Sequence, residues 1–115
     1  MTQITTHVLD TSHGRPAAGI AVLLERQAED ESWRTVWRGK TDYDGRIRNV
    51  LEFEGPQLAA GIFRLHFETE AYFRSFNIQS FYPYVEVIFN VDDPSQHYHV
   101  PLLLSPFTYS TYRGS

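Results

Sequence analysis

Three places in this sequence carry side chains suited to acid–base or anion-binding chemistry. They are His7 in "TTHVLD", Arg46 in "TDYDGR", and the pair His97 and His99 in "HYHVPLLL". An imidazole with a reference pKa of about 6.5 exchanges its proton near neutral pH, so a positioned histidine serves as general base, general acid or metal ligand. A guanidinium is a permanent cation whose donors form a planar fork, suited to a carbonyl edge or a developing oxyanion. Each residue also has an ordinary reading. His7 is equally an edge or surface histidine, and Arg46, placed just beyond an Asp-Gly turn, is equally a solvated cation. His97 and His99 are two apart, so on a strand they project to one face with Pro101 and Leu103, while Tyr98, Val100 and Leu102 face the core. Such a pair can meet water on a half-exposed strand, act as a base, or bind zinc with a distant third histidine such as His7. The spacing leaves all three open.

The elements that must hold these groups read as strands. Ile4, Thr6 and Val8 alternate with Thr5, His7 and Leu9, a period of two with two different faces. "SHGRPAAG" interrupts with Gly and Pro, "IAVLLER" resumes, and "EDES" is an acidic turn before "WRTVWRGK". "TDYDGR" is turn chemistry. In "GIFRLHFE", Phe63, Leu65 and Phe67 alternate with Ile62, Arg64, His66 and Glu68; "YVEVIFNV", "HYHVPLLL" and "FTYSTY" complete the set. "TEAYFRSFN" is the helical candidate, with Thr69 as N-cap and Tyr72, Phe73 and Phe76 at helical spacing. Trp33, Trp37 and the Phe and Tyr residues read as core and interface, and His13 and His66 have no evident partner. Seven to eight short strands and one short helix, with no repeat or linker, predict an all-β fold: a two-sheet β-sandwich forming a single domain over residues 1–115.

Composition narrows the function classes. The 115 residues are 42% hydrophobic and 15% aromatic, which is a folded chain of one-domain size. A net charge of −4 without a basic block argues against nucleic acid as partner. The absence of cysteine excludes disulfides, thiolate metal sites and a thiol nucleophile. "MTQITTHVLD" does not read as a secretory leader, and no stretch approaches the roughly 18 apolar residues of a membrane span. The expectation is a soluble, cytoplasmic protein with no membrane partner. Phosphate loops, dinucleotide-binding glycine patterns and the GxSxG elbow are absent.

Across nearly the whole chain, "THVLDTSHGRPAAGIAV", "TDYDGR", "FYPYVEVIF" and "HYHVPLLLSPFTYSTYRGS" resemble the transthyretin-related 5-hydroxyisourate hydrolases. The first segment and "LLSP…YSTY" are similar in outline to transthyretin, the thyroid-hormone carrier. The polar residues discriminate. The hydrolase motif has His, Arg and His at positions matched here by His7, Arg46 and His99, and a Tyr-Arg-Gly-Ser ending matched by Tyr112, Arg113, Gly114 and Ser115.

The resemblance implies a transthyretin-like sandwich that assembles as a homotetramer, a dimer of dimers, with sites in clefts where the dimers meet. It implies hydrolysis of 5-hydroxyisourate to 2-oxo-4-hydroxy-4-carboxy-5-ureidoimidazoline in urate degradation. His7 and His99 would activate water and return a proton, in an order left open. Arg46 would stabilise the oxyanion, and Tyr112, Arg113, Gly114 and Ser115 would bind substrate. The terminal carboxylate would fix a histidine or Arg113. No cofactor and no metal is expected, since hydrolysis of an activated ring needs no redox partner. The alternative is a transthyretin-like carrier of a small ligand without catalysis.

Overall fold

The computed structural model describes residues 4–48, 50 and 59–115, so the first three residues of the stretch read for a leader lie outside the described residues. Alternation in the first segment becomes a strand, β1 (Ile4–Asp10), with Ile4, Thr6, Val8 and Asp10 turned inward and Thr5, His7 and Leu9 outward. There follow in chain order β2 (Arg15–Pro16), β3 (Ala21–Gln27), β4 (Trp33–Lys40), β5 (Arg46–Ile47), β6 (Gly61–Phe67), the helix α1 (Thr69–Arg74), β7 (Val85–Val91), β8 (Tyr98–Leu104) and β9 (Tyr109–Thr111). Every run that alternates in the sequence is a strand. The additional β2 and β5 are two-residue ladders inside segments that read as turns, and both lie against β1.

One sheet has the order β2-β1-β8-β9, with β5 also on β1; the other has the order β4-β3-β6-β7. All pairings are antiparallel except β1 with β8, which run parallel in a register that puts Thr5 beside His99 and His7 beside Pro101. The inner faces of the two sheets meet in a core that includes Ile4, Val8, Leu24, Phe63, Leu65, Phe67 and Leu102, all fully buried. Each such side chain contributes about 1.5–3 kcal/mol relative to exposure. That commits the inward residues of β1 and β8 to packing and leaves the outward residues of the same strands for chemistry.

Two expectations change in detail. The helix is capped by Glu68, without a side-chain cap bond, and Thr69 is its first helical residue, with a buried Oγ1 that has no partner among the described residues. The reason is that Glu68 is still tied to the sheet, its N–H donating to the Ala21 carbonyl at 3.0 Å, so the helix starts one residue later. Trp33 and Trp37 are half-exposed on β4, the end strand of the second sheet, and Trp33 carries the Arg64 guanidinium 4.2 Å above its ring.

His13 and His66 both have carboxylate partners, local ones in Asp10 and Glu68 and a distant one in Glu86. His13 Nδ1 lies 2.6 Å from buried Asp10, which also accepts the Tyr72 hydroxyl at 2.7 Å and so ties α1 to the end of β1. His66 lies between Glu86 at 2.9 Å and Glu68 at 2.8 Å and stacks on Tyr84. Among the described residues, no helix is long and apolar enough to cross a membrane.

Candidate active site

Arg46 owes its position to the turn before it. Asp42 Oδ1 accepts the backbone N–H groups of Asp44 at 2.8 Å and Arg46 at 2.9 Å, closing a side-chain-stabilised loop. Gly45 has φ of +74°, and its carbonyl accepts the Val8 N–H at 2.8 Å. A side chain there would strike the Val8 carbonyl, so glycine is needed both for conformation and for approach. The turn delivers Arg46 directly opposite His7 on β1. Arg46 Nε then donates to Asp44 at 3.1 Å, and among the described residues the Arg46 Nη groups donate no hydrogen bond.

His99 reaches the same place from the other side of β1. Thr5 Oγ1 lies 2.7 Å from His99 Nδ1 and 2.9 Å from His97 Nε2, and the two rings stack with centroids 6.2 Å apart. The C-terminal segment closes over this pair: Gly114 N–H donates to the His99 carbonyl at 2.8 Å in an isolated bridge. Together Thr5, Arg46, Arg48, His97, His99 and Ser115 line a cleft of about 220 Å³. Burial, and then the charges of His97, Arg46 and His7, hold the His99 imidazole below its ordinary pKa. It is therefore neutral at neutral pH, the form that accepts a proton.

The remaining expected residues are placed less uniformly. His7 belongs to the outward row and faces Arg46 across the ladder, but its Nε2 is closed off from solvent and has no partner among the described residues. Tyr112 and Arg113 line a neighbouring groove of about 240 Å³ that His99 also borders, toward β7. Of the two partners expected for the terminal carboxylate, a histidine or Arg113, Arg113 is engaged elsewhere among the described residues. Its guanidinium donates to Gln96 at 3.0 Å and the His97 carbonyl at 3.4 Å and sits 4.5 Å over the Tyr98 ring. A cation stacked on an aromatic face with two carbonyl acceptors is already satisfied.

Thr5 and Arg48 are cleft residues to which the sequence assigned no chemistry, and His97, a candidate base or ligand by its spacing from His99, is not among the residues the resemblance assigns. The alternation in β1 does put Thr5 on the His7 face, but its contact with His99 depends on the parallel register of distant strands. A larger concavity, about 640 Å³, lies over the outer face of the second sheet. Part of its charged lining is paired, with Arg64 on Glu25 at 2.8 Å and Glu86 at 3.4 Å, and His66 on Glu68 and Glu86, while Arg38 and Lys40 also border it.

The description "HIUase/Transthyretin family" belongs to the family model that matches residues 4–114. A 5-hydroxyisourate hydrolase of Mus musculus is 45% identical over 113 residues, covering 97% of this chain and 94% of that one. Among solved structures, a Klebsiella pneumoniae 5-hydroxyisourate hydrolase is 35% identical with a TM-score of 0.84 and full coverage of both chains. Sea bream transthyretin in complex with thyroxine is 32% identical with a TM-score of 0.90, covering 97% of this chain and 94% of that one. The backbone is thus shared by a 5-hydroxyisourate hydrolase and a transthyretin, and the family match over residues 4–114 with 45% identity to a curated relative gives one conclusion: the chain belongs to the HIUase/transthyretin family.

Proposed function

We infer that this protein is a hydrolase that opens the six-membered ring of 5-hydroxyisourate to give 2-oxo-4-hydroxy-4-carboxy-5-ureidoimidazoline in urate degradation. The observation that carries the reading is a neutral imidazole, His99, beside a partly unengaged guanidinium, Arg46, in a chain 45% identical to a 5-hydroxyisourate hydrolase. His99 takes a proton from water as its oxygen bonds to the ring carbonyl carbon. The carbonyl oxygen becomes an oxyanion, and Arg46 stabilises it with charge-assisted hydrogen bonds. The carbon–nitrogen bond then breaks and the proton passes to the leaving nitrogen, and His7, opposite Arg46 on β1, shares in that return. Gly114 and Ser115 bound the cleft, Tyr112 and Arg113 its neighbouring groove, and these four form the substrate-binding segment.

Assembly is part of the proposal. A cleft of about 220 Å³ is smaller than the roughly 300–1,000 Å³ of most small-molecule sites, so a second subunit would complete it. β7 and β9 end their sheets, β7 carrying exposed Ile88 and β9 exposed Tyr109, with exposed Tyr112 just after it. Such edges are covered by pairing, here in a homotetramer built as a dimer of dimers. The functional unit is a single domain over residues 1–115, working in the cytoplasm. The carrier reading rests on backbone likeness, and folds of one shape host many functions. A carrier of apolar ligands would also have to desolvate His99, Arg46 and His7 without return.

The test follows the ultraviolet absorbance of freshly generated 5-hydroxyisourate. Purified protein accelerates its decay, and His99→Asn or His7→Asn lowers the rate by about 10²–10⁴-fold, the range for a positioned acid–base group. Decay no faster than the uncatalysed reaction would refute the hydrolase reading, and full activity in both variants would refute the assignment of roles.

A further inference from the structure

The Thr5 hydroxyl stands between two imidazole nitrogens, 2.7 Å from His99 Nδ1 and 2.9 Å from His97 Nε2. A hydroxyl has one proton. It donates to one ring and accepts an N–H from the other, so the tautomers of the two histidines are tied together. In one arrangement His99 Nδ1–H donates to Thr5 and Thr5 donates to His97 Nε2, which leaves a lone pair on His99 Nε2. In the reverse arrangement His97 Nε2–H donates to Thr5 and Thr5 donates to His99 Nδ1, which puts the proton on His99 Nε2 and removes its capacity as a base.

The first arrangement also tolerates turnover. An imidazolium His99 donates from both nitrogens, so the hydroxyl need not rotate when Nε2 takes up a proton. Protonation of His97 has the opposite effect. Both its nitrogens become donors, Thr5 must accept from it, and the hydroxyl proton turns to His99 Nδ1.

We propose that Thr5 is a positioning residue that holds His99 in the Nδ1–H tautomer through a hydrogen-bond chain ending at exposed His97, and that protonation of His97 reverses the chain and disables the base. This rests on the hydrolase reading for its kinetic consequence and on geometry alone for the tautomer. The groups facing His99 are His7 from β1, Arg46 from β5 and His97 from the approach to β8. Arg48 and Ser115 line the same cleft, and Arg113 lies against the His97 carbonyl. Burial and the neighbouring charges oppose protonation of His99, so its ring is neutral and its tautomer is set by the Thr5 hydroxyl.

The test combines long-range proton–nitrogen NMR of the histidine rings in the full-length wild type with kinetics of Thr5→Val and Thr5→Ser. At neutral pH the wild type shows His99 protonated at Nδ1, converting to the Nε2–H form on acidification in step with His97. Thr5→Val loses that coupling, and its kcat falls about 10–10²-fold with KM little changed, as when the partner that orients a histidine is removed. Thr5→Ser restores both. His99 found in the Nε2–H form in the neutral wild type, or wild-type kcat in a folded Thr5→Val, overturns the proposal. The tautomer measurement needs neither substrate nor variant, so it decides the proposal even where Thr5→Val does not fold. An inactive wild type would instead sink the hydrolase reading.

Discussion

Replacing Gly114 with alanine isolates how the C-terminal segment controls the base. The backbone at Gly114 is not in the left-handed region, so space rather than conformation explains the glycine. An added Cβ would stand 2.5 Å from His99 Cδ2 and 3.2 Å from Pro101 Cγ. Carbon atoms pack best at about 3.5–4.0 Å, so roughly 1 Å must be recovered by movement. If the His99 ring swings off its rotamer by some 30°, the cost is about 0.5–1.5 kcal/mol. If the tail lifts instead, the 2.8 Å bond from Gly114 N–H to the His99 carbonyl is lost. That bond contributes about 0.5–1.5 kcal/mol, so either route changes stability by about 1 kcal/mol and Tm by only a few degrees. Catalysis is far more sensitive, because misplacing a reacting group by about 1 Å costs on the order of 10²-fold in rate. Gly114→Ala is therefore expected to lose about 10²-fold in kcat/KM in the absorbance assay while unfolding within about 5 °C of wild type. Wild-type kcat/KM together with unchanged His99 ring resonances would refute the reasoning, since the contact would then be relieved without touching the site.

Two further outcomes follow from the charged groups. Burial acts to raise the Asp10 carboxyl, but hydrogen bonds from Ser12, His13 and Tyr72 outweigh it and leave the pKa at about 2, below the ordinary 3.8. The folded value is the lower one, so this stabilisation is complete above about pH 4 and is lost as pH falls through about 2. Tyr72→Phe removes the 2.7 Å hydroxyl bond to that carboxylate. Such bonds contribute about 1.5–3 kcal/mol, so urea denaturation at neutral pH should show a loss of that size and a shallower decline below pH 4; equal stability, or parallel pH curves, would contradict it. At the site, Arg46→Gln removes one of the charges that, after burial and His97, hold His99 low. Its acid limb in kcat/KM should move to higher pH while kcat drops, and a limb that stays or moves to lower pH would show that His99 is not the group titrating.

Period-two alternation was sufficient to locate seven strands and the inward and outward faces of β1, β6 and β8, because a strand's side-chain direction is a local property of the backbone. It likewise put His7 with Thr5, and His99 with Pro101 and Leu103, on surfaces the core does not use. Turn chemistry in "TDYDGR" marked the place from which Arg46 is presented, since Asp42 and Gly45 act within a few residues. What no local pattern carries is adjacency between strands far apart in the chain. The parallel pairing of β1 with β8 puts Thr5 against His99, the β5 ladder sets Arg46 opposite His7, and the Gly114 bridge closes over His99. The same holds for His66, which meets Glu86 of the neighbouring strand β7 across the sheet, and for Asp10, which the Tyr72 hydroxyl reaches from α1. Residue types and alternation therefore determined which groups were available and which way they face. Register, a product of the whole packed sandwich, decided which of them share a hydrogen bond, a charge or a proton.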